Sequence, residues 1–137
     1  MEEETGLLKT MKLRDLSASE TEIMKILWEV DEDICLAELS ERIHEAYGKE
    51  HKKTTLGTFI QRLIEKKYIT SYKVGRQSFV HVEVTEEDYK EILSEDQINR
   101  WHHGSISDFV LCFSKSTEGI SPEEAERIHA ILNGLDD

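Results

Sequence analysis

Thr54, Thr58, Gln61, Arg62 and Glu65 fall on the polar side of a segment with helical periodicity, running from about Thr54 to Lys67. Short hydroxyls, a primary amide and a guanidinium are hydrogen-bonding groups of defined geometry, suited to reading flat polar edges rather than to making or breaking bonds. A plain solvated helix face is a mixture of Glu and Lys, so this composition asks for a ligand. Lys52, Lys53, Lys73 and Arg76 supply positive charge nearby, and Gln77 adds a further amide. Other reactive side chains form no comparable set. His102 and His103 are adjacent, which on a helix turns them about 100° apart. His44, His51, His81 and His129 show no ligand spacing to cysteine or to each other, so neither a metal nor a cofactor is expected. Cys35 and Cys112 are expected to be unpaired thiols, Cys112 packed among apolar neighbours on a helix. No glycine-rich phosphate loop and no nucleophile–base arrangement is present, and an enzyme is not expected.

The elements that position these groups follow from period and punctuation. Ser17-Ala-Ser-Glu20 is a capping box, and Ile23, Ile26, Leu27 and Val30 behind it form one apolar helix face. The acidic turn Asp31-Glu32-Asp33 ends that helix. A second helix carries Leu36, Leu39, Ile43 and Ala46 and stops at Gly48. In the third, Leu56, Phe59, Ile60, Leu63 and Ile64 make the buried face opposite the hydroxyls and the amide. Residues 68–74 and 77–84 are rich in β-branched and aromatic types, with Gly75-Arg76 between them as a hairpin turn. Three helices followed by a hairpin with a basic tip is the order of a winged helix. The fold class expected is mostly α: a winged helix-turn-helix (three helices plus a β-hairpin wing) over 17–84, then a three-helix dimerisation region over 85–137, preceded by a lead-in, 1–16, without clear period. In the second half Thr85 opens one helix running to about His103, Gly104-Ser105 breaks it, and Ser121-Pro122 caps the last.

The charge distribution narrows the ligand. The chain carries a net −12, yet from Lys49 to Arg76 eight basic residues face two acidic ones, a local +6. From Thr85 onward four basic residues face thirteen acidic ones, a local −9. Polyanions respond to the field within a Debye length of about 8 Å rather than to the molecular total. A basic patch therefore survives on an acidic protein. No run of about 18 apolar residues exists to cross a membrane. Acidic residues follow Met1 where an export signal needs basic and apolar ones, so the cytoplasm is the expected compartment.

Three short amphipathic helices in about 50 residues bury too little apolar area to stand alone. Tyr89, Ile92, Leu93, Trp101, Ile106, Phe109, Val110, Phe113, Ile128, Ile131 and Leu132 need a further surface. A two-fold contact between identical segments supplies one, so a homodimer is expected.

Leu16 to Trp28, Thr54 to Tyr68, and the stretch from Gly104-Ser-Ile-Ser through Ile120-Ser-Pro-Glu-Glu resemble, in that order, the signatures of the penicillinase-repressor (BlaI/MecI/CopY) family of winged-helix transcriptional repressors. The resemblance spans roughly residues 16–135. It implies a dimer on a palindromic operator in double-stranded DNA, with the third helix in the major groove and the hairpin on the backbone. Thr54, Thr55, Thr58, Gln61 and Arg62 would then face the bases, Gln suiting adenine and Arg guanine. Lys52, Lys53, Lys73 and Arg76 would pair with phosphates.

The family also implies an inducing protease that cuts between an asparagine and a phenylalanine on the fifth helix. Cys112-Phe113 occupies that point here, and the missing asparagine tells against the same cut. The copper-responsive branch ends in a cysteine-rich metal site, whereas no cysteine follows Phe113. Two other functions compete: a winged-helix module that binds protein, which would put apolar anchors on the third helix, and a ligand-responsive winged-helix regulator of another class.

Overall fold

The structure, a computed structural model, describes residues 15–116 and 119–135. The expected lead-in thus lies outside the described residues except for Asp15 and Leu16. Contacts divide the chain into two units, Met1–Ile92 and Leu93–Asp137.

The first unit opens with α1 (Ala18–Val30). Glu20 N–H donates to Ser17 Oγ at 3.2 Å and Ser17 N–H to Glu20 Oε1 at 2.7 Å, the reciprocal capping box that the sequence announces. Ile23, Met24, Ile26 and Leu27 are buried. A two-residue strand, β1 (Ile34–Cys35), leads into α2 (Leu36–Tyr47), which sends Leu39 and Ile43 into the core. Ala46, expected on the same face, is exposed one turn beyond the core. The third helix, α3 (Lys53–Glu65), buries Leu56, Ile60 and Leu63, with Phe59 and Ile64 half-buried beside them.

The wing is β2 (Ile69–Val74) and β3 (Gln77–Val82), antiparallel from Ile69 opposite Val82 to Val74 opposite Gln77. Its two-residue turn needs a left-handed backbone, which Gly75 supplies at φ 63°. β1 pairs antiparallel with the other edge of β3, giving the order β1-β3-β2. Tyr68, fully buried, accepts the backbone N–H groups of Glu83 and Val84 at 2.9 and 3.2 Å, and Val84 O accepts the Trp28 indole N–H at 2.8 Å. The wing is thereby anchored at its base while β2 beyond Ile69 stands exposed.

The boundary between the units falls within α4 (Glu86–Trp101), whose first turn is capped by Thr85 Oγ1 accepting Asp88 N–H. In the second unit α5 (Ile106–Ser114) is capped by Ser105, and α6 (Pro122–Leu135) by Ser121 with Pro122 in its first turn. No helix among the described residues is long and apolar enough to cross a membrane.

Candidate nucleic-acid interface

Burying Leu56, Ile60 and Leu63 stabilises the fold by roughly 1.5–3 kcal/mol each and fixes the rotation of α3. The opposite face then has no choice but to point outward. Thr54, Thr55, Thr58, Gln61 and Arg62 are all exposed. Thr58 Oγ1 donates to Thr54 O at 3.0 Å, which engages its hydroxyl proton within the helix and leaves the oxygen able to accept. The Arg62 guanidinium carbon lies 6.0 Å from the Phe59 ring centroid, so its stem leans along the helix while its head stays exposed. At the other end, Lys52 takes the N-cap position without a side-chain hydrogen bond, and the first turn carries no acid. Free N–H groups, the helix dipole and the Lys52 and Lys53 ammonium groups all favour an anion there.

Not every cation of the basic stretch is available. Lys66 turns inward: Nζ lies 2.6 Å from Glu20 Oε1 and 2.7 Å from Asp15 O, and its side chain is only 15% exposed. Burial pushes the Glu20 carboxyl up, but Lys66, together with the Ser17 backbone and hydroxyl, outweighs it and holds the group below the ordinary carboxylate range. Lys49 pairs with Glu22 at 2.9 Å. Lys52, Lys53, Arg62, Lys67, Lys73 and Arg76 are exposed. The usable charge is thus smaller than the count of eight implies.

In the wing, Lys73, Arg76 and Gln77 are exposed around the turn. Tyr72 and Phe79 stack across the strands, ring centroids 5.6 Å apart. Asp33, from the loop before β1, clamps Tyr72 and His81 of the two strands, accepting Tyr72 O–H at 2.7 Å and lying 2.8 Å from His81 Nδ1. These contacts lower the Asp33 carboxyl, Tyr72 before His81, and the Asp33 hydrogen bond raises the His81 imidazole. The clamp ties the wing to the α1–β1 loop. Beside it, Asp31, Glu32, Asp33, Glu86 and Glu87 line a cleft of about 420 Å³, whose charge repels phosphate.

In the second unit no described residue is buried. Trp101, Ile106, Phe109, Phe113, Ile131 and Leu132 are exposed, as is Leu93. Val110 and Ile128 are half-buried, as is Ile92 at the end of the first unit. Phe109, Val110, Phe113, Ile120 and Ile128 line an open groove of about 520 Å³. Tyr89 is the exception among the aromatic residues expected at a dimer contact: it packs in the first unit, 5.4 Å from Trp28 and 5.9 Å from Tyr68 between ring centroids. Trp28 and Tyr68 offered it a partner that the periodicity of α4 alone did not reveal. Cys112, expected as a packed thiol, is exposed, because the apolar neighbours on α5 are themselves uncovered. Among the described residues no group of three His, Cys, Asp or Glu side chains is placed to hold a metal ion.

A three-helix core, a β-hairpin anchored on it and a third helix with one face buried and one exposed define a winged-helix protein. The sequence profile of the penicillinase repressor family matches residues 16–134, and the chain belongs to that family. It is a winged-helix transcriptional repressor. It is 28% identical to the penicillinase repressor of Bacillus licheniformis over 124 residues, covering 88% of this chain and 91% of that protein. To the penicillinase repressor of Staphylococcus aureus it is 28% identical over 121 residues, covering 88% and 93%. Among solved structures, the complex structure of hsRosR-S4, a form of RosR from H. salinarum, has a TM-score of 0.51 at 17% identity, covering 93% of this chain and 96% of that one, a likeness of fold.

Proposed function

We propose that the protein acts in the cytoplasm as a homodimer on a palindromic operator, with α3 of each protomer in a major groove and each wing on the neighbouring backbone. One observation carries this: α3 buries a full apolar face and exposes Thr54, Thr55, Thr58, Gln61 and Arg62, with Lys52 and Lys53 at its uncapped, acid-free start. Gln61 suits the paired donor and acceptor of adenine, Arg62 the two acceptors of guanine, and the Thr58 methyl a thymine methyl. Lys52, Lys53, Lys73, Arg76 and Gln77 hold phosphates and set register without reading sequence.

Dimerisation is supported by the second unit, whose helices leave Phe109, Phe113, Ile131 and Leu132 exposed. Leu93, Trp101, Ile106, Val110 and Ile128 extend that surface; Ile92 and Tyr89 belong to the first unit and are left out of it, Tyr89 packing on Trp28 and Tyr68. A cut between asparagine and phenylalanine is not part of the proposal, since Cys112 precedes Phe113.

Selection of bound duplexes from a random pool tests it. The expected product is a palindrome with half-sites about one helical turn, or a multiple of it, apart. Thr58→Glu, at an exposed position, should leave the melting temperature unchanged and weaken operator binding by at least a hundredfold. A selected site without symmetry, or full affinity in Thr58→Glu, would mean that another surface reads the DNA.

A further inference from the structure

Gly57 stands in the middle of α3, between buried Leu56 and exposed Thr58, and is itself half-exposed. A Cβ built on it meets nothing within 4 Å among the described residues. Its φ is not among the positive values of the chain, so the backbone there is ordinary helix. Neither packing nor backbone conformation requires glycine. Yet glycine is the least favourable residue in a helix interior after proline, and α3 is the helix whose rigidity recognition depends on. The fold by itself favours alanine at 57. No described residue accounts for the missing side chain, which turns attention to a ligand.

Its place on the helix says what. Position 57 lies one turn after Lys53 and one turn before Gln61, at the margin between the core face and the outward face. A helix with its side chains is about 10–12 Å across, and the major groove is about 12 Å wide. The outermost residues of a seated helix therefore meet the base edges, and its margins meet the sugar–phosphate walls. We propose that Gly57 is a specificity-determining residue of DNA recognition. Its bare backbone narrows α3 on one margin, a sugar–phosphate wall closes against it, and Thr54, Thr58 and Gln61 reach the base edges as a result. This rests on α3 entering the major groove.

Gly57→Ala in the full chain separates fold from recognition, with operator affinity by fluorescence anisotropy and thermal melting measured together. The melting temperature should rise by about 4 °C, while operator affinity falls about tenfold. A loss of at least threefold with a raised melting temperature upholds the inference. A smaller loss or a gain overturns it, and so does a lowered melting temperature, which would show that the glycine serves the fold. Thr58→Glu run beside it distinguishes the two levels. If Thr58→Glu abolishes binding and Gly57→Ala does not weaken it, only the glycine inference fails. If neither variant affects binding, the placement of α3 in the groove fails first.

Discussion

Lys66→Met should destabilise the protein severely without removing a DNA contact. Glu20 is 1% exposed, its Oε1 lies 2.6 Å from Lys66 Nζ, and its Oε2 has no hydrogen-bond partner among the described residues. Removing the ammonium leaves a buried carboxylate held only by the capping interactions of Ser17. Breaking one side of such a pair costs about 3–5 kcal/mol, against a total stability of about 5–15 kcal/mol. At about 4 °C per kcal/mol for a chain of this size, the melting temperature should fall by about 12–20 °C. Glu20→Leu/Lys66→Met removes both charges and loses chiefly the return bond to Ser17 N–H, so it should recover to within about 1–2 kcal/mol of the parent.

The pH dependence has a defined sign. In the parent the Glu20 carboxyl is lowered, so its contribution is present above the ordinary carboxylate range and is lost as pH falls through the lowered value. The gap between parent and Lys66→Met should therefore narrow toward acid. Urea and thermal melts measure all of this. In operator titrations, Lys66→Met refolded at low temperature should keep the parent's salt slope, whereas each true phosphate contact carries about 0.9 of it. A Lys66→Met variant of parental stability whose slope drops by about 0.9 would refute the internal pair and return Lys66 to the DNA surface.

Phe113→Asp, placed where the second unit exposes its aromatic groove, should halve the mass in sedimentation and weaken operator binding by about a hundredfold or more, the avidity lost with two-site engagement. Unchanged mass would move the dimer contact elsewhere. The wing clamp should be pH-sensitive: the raised His81 imidazole contributes stability fully below about pH 6.5 and loses it as pH rises through its raised value, while the lowered Asp33 carboxyl contributes above about pH 4 and loses it toward acid. Melting of the parent and of His81→Asn across pH 5–9 should converge at the alkaline end; a constant difference would show that the His81–Asp33 contact does not titrate.

How much of this was legible depended on the range of the interaction. The capping box at Ser17 and Glu20 is local, and two residues three positions apart declare it. The outward face of α3 is legible for the same reason, since Leu56, Ile60 and Leu63 fix its rotation within one helix. β1 was not legible, because Ile34 and Cys35 are too few to show a period and owe their conformation to β3, more than forty positions away. Lys66 was counted with the basic patch because a charge tally cannot tell an outward cation from one whose partner lies 46 positions earlier. Tyr89 misled for a related reason. A large aromatic on a weakly amphipathic helix shows that it needs cover, but only the three-dimensional fold shows that Trp28 and Tyr68 provide it.

The net charge of −12 and a DNA-binding role are reconciled by what each controls. Long-range repulsion from the acidic remainder lowers affinity for any duplex, and so weakens non-specific binding, which is almost wholly electrostatic. Close contact is governed by charges within about 8 Å, where Lys52, Lys53, Lys73 and Arg76 are exposed and Lys49 and Lys66 are already paired with Glu22 and Glu20. The six exposed cations of that stretch other than Lys49, which pairs with Glu22, put the phosphate contribution to the salt slope at about 5 per protomer. With that term limited, the proposed placement of α3 assigns preference for one site over the rest of the genome to base-edge contacts by Gln61, Arg62 and the α3 threonines, and on that placement a few misplaced tenths of an ångström on α3 should matter more than one lysine more or fewer.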